Sequence, residues 1–125
     1  MKSKPDFAAT FEKLKAILKP YAEKLIVTAD TNENYMLDVN HVMKNKHRLF
    51  FAGVRVGKAY VSFHLMPVYA CPELLDDMSA ELKRRMQGKS CFNFTSPDEK
   101  LFKELAQVTK KGFSKFTSRK FYQQF

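Results

Sequence analysis

From Phe7 to Leu18 the apolar residues Phe7, Phe11, Leu14, Ile17 and Leu18 recur at three- and four-residue intervals. That is the period of an α-helix with one buried stripe. Pro20 cannot donate an amide to the preceding turn, so it either kinks this helix or opens a further turn through Tyr21 and Leu25. Residues 25–30 then read as a strand, Thr31-Asn32-Glu33-Asn34 as a turn, and residues 35–39 as the antiparallel partner, with Tyr35, Leu37 and Val39 on one face. Residues 41–47 are polar, basic and without a period, and read as a loop.

Two alternating runs between Leu49 and Met66 meet at Gly57-Lys58, whose leading glycine suits a two-residue type II′ hairpin turn. With Val56 facing Ala59, the register pairs Val54 with Val61, Ala52 with Phe63 and Phe50 with Leu65 on an apolar face. The opposite face then sets Arg55 beside Tyr60, Gly53 beside Ser62 and Phe51 beside His64. Pro67 ends the strand, and Cys71-Pro72-Glu73 opens a short helix with proline in its first turn. Ser79 caps a second helical stretch containing Leu82 and Met86, which Gly88 closes. Cys91 and Asn93 alternate with Phe92 and Phe94 in one more strand. Ser96-Pro97-Asp98-Glu99 reads as a capping box for a last helix with Leu101, Phe102, Leu105 and Val108 on its buried side. Gly112 ends or weakens this helix, while Phe113, Phe116 and Phe121 continue its apolar series.

The expected architecture is α+β: an N-terminal helix, an antiparallel sheet of about five strands, and C-terminal helices packed on it. The 125 residues match the usual size of a single domain, and 45% hydrophobic and 14% aromatic residues are those of a folded chain. Twelve Phe and no Trp point to a core filled by rings that carry no polar atom. The N-terminal hexapeptide lacks a signal peptide's apolar run and no stretch reaches the roughly twenty apolar residues of a membrane span, so the expected setting is cytoplasmic, with no membrane partner. Cys71 and Cys91 match neither a CxxC pair nor a zinc knuckle; Cys71, at a helix start, is the thiol whose reactivity is open.

The net charge of +9 is unevenly placed. No acid lies between Val39 and Pro72, where Lys44, Lys46, Arg48, Arg55 and Lys58 stand, or after Glu104, where Lys110, Lys111, Lys115, Arg119 and Lys120 stand. Such blocks can attract phosphate backbones or anionic ligands, and more often form solvated faces.

From about Leu49 to Lys110 the order of signals resembles the YdhG-like domains, a bacterial family of unknown function. The resemblance rests on Ala59-Tyr60-Val61-Ser62-Phe63-His64-Leu65 followed by Met66-Pro67, a helix ending at Met86-Gln87-Gly88-Lys89, then Ser90-Cys91-Phe92-Asn93-Phe94, then a capped helix. The N-terminal half lacks the family's Pro-containing strand segment, and Thr95-Ser96 replaces a proline that often follows the Phe. The resemblance implies a curved antiparallel sheet packed by helices. It implies no chemistry.

No catalytic, metal or cofactor motif stands in the chain. His41, His47 and His64 have no HExxH or HxH spacing, and His41 with Asp38 is the nearest approach to a ligand pair. There is no GxSxG elbow, GxGxxG fingerprint or phosphate loop; Gly88-Lys89-Ser90 echoes only the end of the last. Glu73, Asp76 and Asp77 form a solvated acidic face rather than an opposed acid and base. What remains is the second hairpin face, where Arg55, Tyr60 and His64, with Ser62 and with Phe51 between them, line a rigid polar and aromatic wall suited to a small anionic or aromatic ligand. The bland reading of the same face is a half-exposed sheet surface with Arg55 stacked on Tyr60. The function expected is a non-enzymatic ligand- or protein-binding domain, with no cofactor. A basic nucleic-acid-associated protein, supported by charge but by no motif, stands second, and an enzyme of unrecognised type third. A helix-turn-helix through Ala80 and Arg85 conflicts with the strand that follows it. Met36, Met43, Met66, Met78 and Met86 read as core filler or as an adaptable apolar surface for a protein partner. The pattern leaves the oligomeric state open.

Overall fold

Phe7–Leu18 forms α1, burying Thr10, Phe11, Leu14 and Leu18 as its period predicts. In the computed structural model, which describes residues 7–88 and 90–116 and only the backbone at His41, Ala70, Pro72 and Asp77, Pro20 stands in the first turn of a 3-10 segment over Lys19–Lys24. The readings placed on Lys89, Arg119, Lys120, Phe121 and the N-terminal hexapeptide lie outside the described residues, as do those on the side chains of His41 and Asp77. Strands β1 (Ile26–Asp30), β2 (Asn34–Val42), β3 (Arg48–Val56) and β4 (Val61–Leu65) follow in an antiparallel meander. Helix α2 (Met66–Ala70), a 3-10 turn (Pro72–Asp77) and α3 (Ala80–Lys83) lead to β5 (Cys91–Phe94), which pairs antiparallel with β4, and to α4 (Glu99–Phe116). The fold is α+β, with a five-stranded sheet in the order β1-β2-β3-β4-β5.

The core lies between one face of the sheet and the helices. Leu37, Ala52, Val54, Val61, Phe63, Leu65 and Phe92 are wholly enclosed with Phe11, Leu14, Leu105 and Phe116. Alternation in β4 and β5 puts every second residue into this core, and the others face outward.

Several local expectations give way to tertiary pairing. β2 continues through Val42, which pairs with Arg48, so residues 41 and 42 belong to a strand rather than a loop. The hairpin between β3 and β4 turns through four residues, Gly57 to Tyr60, with the Gly57 amide bonded to the Tyr60 carbonyl at 2.9 Å. Val56 pairs with Val61, two positions from the expected register. A slip of two preserves the face of every β4 residue, because side chains alternate with period two. The pairing is held from both sides, since Phe63 stands between Val54 and Phe92.

Phe51 moves to the other face. Asp38 pairs with Phe50 and Leu37 with Ala52, leaving Phe51 as an extra residue at a bulge. Its ring enters the core, edge-on to Phe113 at 5.6 Å and tilted against Tyr21 at 6.1 Å. It does not lie beside His64.

Pro67 stops β4 and at once opens α2, an element the sequence did not announce. Ser79 caps α3 as expected, accepting from the Leu82 amide at 3.1 Å. Gly88, at φ +82°, serves the turn into β5 rather than a helix end, because α3 stops at Lys83 and Met86 pairs with Phe92. Asp98, not Ser96, caps α4: its carboxylate accepts from the Leu101 amide at 3.1 Å and its carbonyl from the Phe102 amide at 2.8 Å. Gly112 does not end α4. A Cβ there would stand 2.8 Å from Pro67 Cβ, so the glycine permits close packing of α4 on α2. Met78 is buried and Met43, Met66 and Met86 pack on the core, leaving Met36 on the outer face.

Candidate functional site

The outer face of the sheet carries two rungs of mixed chemistry. One runs Met36, Gly53, His64, Cys91, and the other Asn34, Arg55, Ser62, Asn93. Gly53 has a reason to lack a side chain: a Cβ there would collide with the Met36 thioether, which lies over it. His64, Ser62, Cys91 and Asn93 are half-buried and Arg55 is exposed, so this face is partly open.

A hydrogen-bonded chain crosses from β4 to β5 and on to the segment before it. Ser62 Oγ donates to Asn93 Oδ1 at 2.8 Å, and the Cys91 thiol donates to the same oxygen at 3.4 Å. Asn93 Nδ2 donates to Gln87 Oε1 at 2.7 Å, where Tyr60 OH also donates at 3.0 Å. Backbone pairing positions the outer partner, with the Gln87 amide bonded to the Cys91 carbonyl and the Asn93 amide to the Arg85 carbonyl. Beside this row lies a cavity of about 320 Å³ walled by Tyr60, Arg84, Arg85, Gln87, Asn93 and Thr95. The Arg85 guanidinium sits 5.8 Å from the centre of the Phe94 ring.

The three residues singled out in the sequence are distributed along this face. Arg55 pairs with Ser62 rather than Tyr60, and His64 pairs with Gly53 on the next rung. Burial, and secondarily the Arg55 charge, hold the His64 imidazole below its ordinary pKa. Tyr60 stands at the hairpin end of the same β4 column, engaged by Gln87 instead of stacked on by Arg55. Asn93, Gln87, Arg84 and Arg85 were missed. The alternation in β5 signalled that Asn93 faces away from Phe92 and Phe94, but nothing local signals that residues 85–87 run beside β5.

Cys91 Sγ lies 4.0 Å from His64 Nε2. Burial raises the Cys91 thiol's pKa, only partly offset by the neighbouring Ser62 hydroxyl, while the imidazole's is lowered. Both shifts oppose a thiolate–imidazolium pair, and a nucleophilic cysteine needs the thiolate. Cys71 is buried, and burial, then Glu73, push its thiol up as well, as for an ordinary buried cysteine. Among the described residues no group of three or more His, Cys, Asp or Glu could hold a metal ion. α3 spans four residues and is followed by β5 where a recognition helix would stand.

No family model, curated protein or solved structure matches the chain. Among the described residues no helix is long and apolar enough to cross a membrane.

Proposed function

We propose that the protein is a non-enzymatic binding domain that takes a small anionic ligand at the polar end of its open sheet face. The observation that carries the reading is the Tyr60–Gln87–Asn93–Ser62 row beside the cavity walled by Arg84 and Arg85. Gln87 Oε1 and Asn93 Oδ1 each accept two internal donors, so the oxygens of both amides are engaged. The guanidiniums of Arg84 and Arg55 are donors only, and they match a carboxylate or phosphate. Strand backbones hold Ser62 and Asn93, and backbone hydrogen bonds hold Tyr60 and Gln87 beside them before a ligand arrives, which lowers the ordering cost of binding. The neutral Cys91 and His64 favour binding over nucleophilic chemistry.

The same proposal takes the chain as an outlying relative of the YdhG-like domains, on the order of hairpin, Met66-Pro67, Gly88-Lys89, Phe-containing strand and capped helix. Free Cys71 and Cys91 support a reducing, cytoplasmic setting. The test is thermal unfolding of the full chain against small carboxylates, phosphates, aromatic acids and short DNA and RNA at two salt concentrations. A ligand of the native state raises the midpoint by mass action. A salt-resistant rise with one small anion, reduced in Arg84→Ala and Arg55→Ala, is expected. A rise with nucleic acid alone, vanishing as salt increases, would sink the reading in favour of a basic nucleic-acid surface.

A further inference from the structure

In the helical layer, which covers the other face of the sheet, α4 and the 3-10 turn Pro72–Asp77 enclose a groove of about 700 Å³. Its α4 wall is a stripe, Gln107, Lys110, Lys111, Ser114 and Lys115, at the i, i+3, i+4, i+7, i+8 spacing that aligns side chains along one helix face. That stripe lies away from the core stripe of Leu101, Leu105, Val108 and Phe116. Leu74 lines the groove opposite and comes down onto α4 where Gly112 lacks a side chain, its Cδ1 3.7 Å from the position a Cβ would take.

Among the described residues three lysines and one glutamate line the groove, a net charge of +2. Lys115 reaches across to Glu73 at 3.5 Å, and both side chains are about half exposed. An exposed pair of this kind is weak, so an incoming anion competes for Lys115 on nearly equal terms. The butyl stems of the lysines lay apolar surface beside Leu74, while their ammonium groups stay at the rim. The volume falls within the roughly 300–1,000 Å³ of small-molecule sites. Glu73, inside the groove, opposes a chain of phosphates, which favours a compact ligand with one charge.

We propose that this groove binds a small amphiphilic monoanion, an aliphatic or aromatic carboxylate whose apolar body rests on the lysine stems above the buried Leu74 and whose carboxylate meets Lys110 and Lys115. This site is separate from the face of the sheet that carries Tyr60 and Asn93, and it stands or falls independently.

The experiment is amide-resolved NMR of the full chain titrated with octanoate, with octanol, inorganic phosphate, and phosphatidylserine-containing vesicles in parallel. Octanoate is expected to shift the amides of residues 73–74 and 107–115 saturably, with octanol at least tenfold weaker and phosphate without saturation. Lys110→Glu weakens octanoate at least tenfold, with Lys110→Gln intermediate. Glu73→Gln tightens it several-fold by releasing Lys115, a gain that a merely structural role does not produce. Equal binding of octanol, saturation by phosphate alone, binding to vesicles without binding of free octanoate, or shifts confined to Tyr60, Gln87 and Asn93 would each overturn the proposal. That last pattern would at the same time favour the sheet-face site.

Discussion

Asn93 donates to Gln87 at 2.7 Å while accepting from Ser62 at 2.8 Å, so one side chain joins two strands to the segment that runs beside them. A leucine at this position would be close in size but would leave Ser62, Cys91 and Gln87 without these partners. Asn93→Leu is expected to lower stability by about 1–2 kcal/mol, the scale for losing more than one partly buried hydrogen bond. Chemical denaturation measures it. Full stability in the variant would mean that the row is not held together by this amide.

The bulge in β3 makes neighbouring phenylalanines unequal. Phe51 is fully enclosed among Tyr21, Phe113 and Phe116, whereas Phe50 faces outward and is half-buried. Phe51→Ala is expected to cost about 3–5 kcal/mol, as for a ring removed from a packed core. Phe50→Ala should cost roughly 1 kcal/mol, in proportion to the smaller area it buries. Equal losses in denaturant titrations would contradict the bulge.

Gly112 stands inside an 18-residue helix, where alanine ordinarily gains about 1 kcal/mol in helix propensity. Here the added methyl meets Pro67, whose ring carbon cannot rotate away. Overpacking of this kind costs about 1–3 kcal/mol. Gly112→Ala should therefore lower the unfolding midpoint despite the better propensity, and a raised midpoint would show that α4 and α2 can separate freely.

Burial and, secondarily, the Arg55 charge depress the His64 pKa below its ordinary value of about 6.5 in the folded state. The unfolded chain then binds the proton more readily, so acid favours unfolding. Stability from this group is intact above about pH 6.5 and is lost as the pH falls toward the folded-state pKa. Wild type should lose midpoint between pH 7.5 and 5.5 more steeply than His64→Gln, with Arg55→Gln in between. Parallel curves for wild type and His64→Gln would show that His64 does not contribute this dependence.

What can be read locally and what cannot divides along physical lines. α1 follows from the spacing of Phe7, Phe11 and Leu14, and β5 from the alternation of Phe92 and Phe94, because each pattern depends only on the geometry of its own element. The outward faces of His64 and Ser62 followed in the same way. Neither required a partner strand. The capping-box pattern points to Ser96, yet Asp98 caps α4, because the cap depends on where the helix begins when Leu101 and Phe102 reach the core.

By itself the sequence determined the kinds of element, most of their buried faces and the α+β class, since periodicity and turn chemistry are properties of consecutive residues. Tertiary structure alone decided the two-residue shift of the β3–β4 hairpin, the bulge that turns Phe51 inward, and the pairing that brings Gln87 and Arg84 to Tyr60 and Asn93. The reason is that register and cross-chain contact are settled by which arrangement buries the shared core most completely. That sum runs over residues far apart in the chain, such as Phe63 between Val54 and Phe92, and no local window contains it.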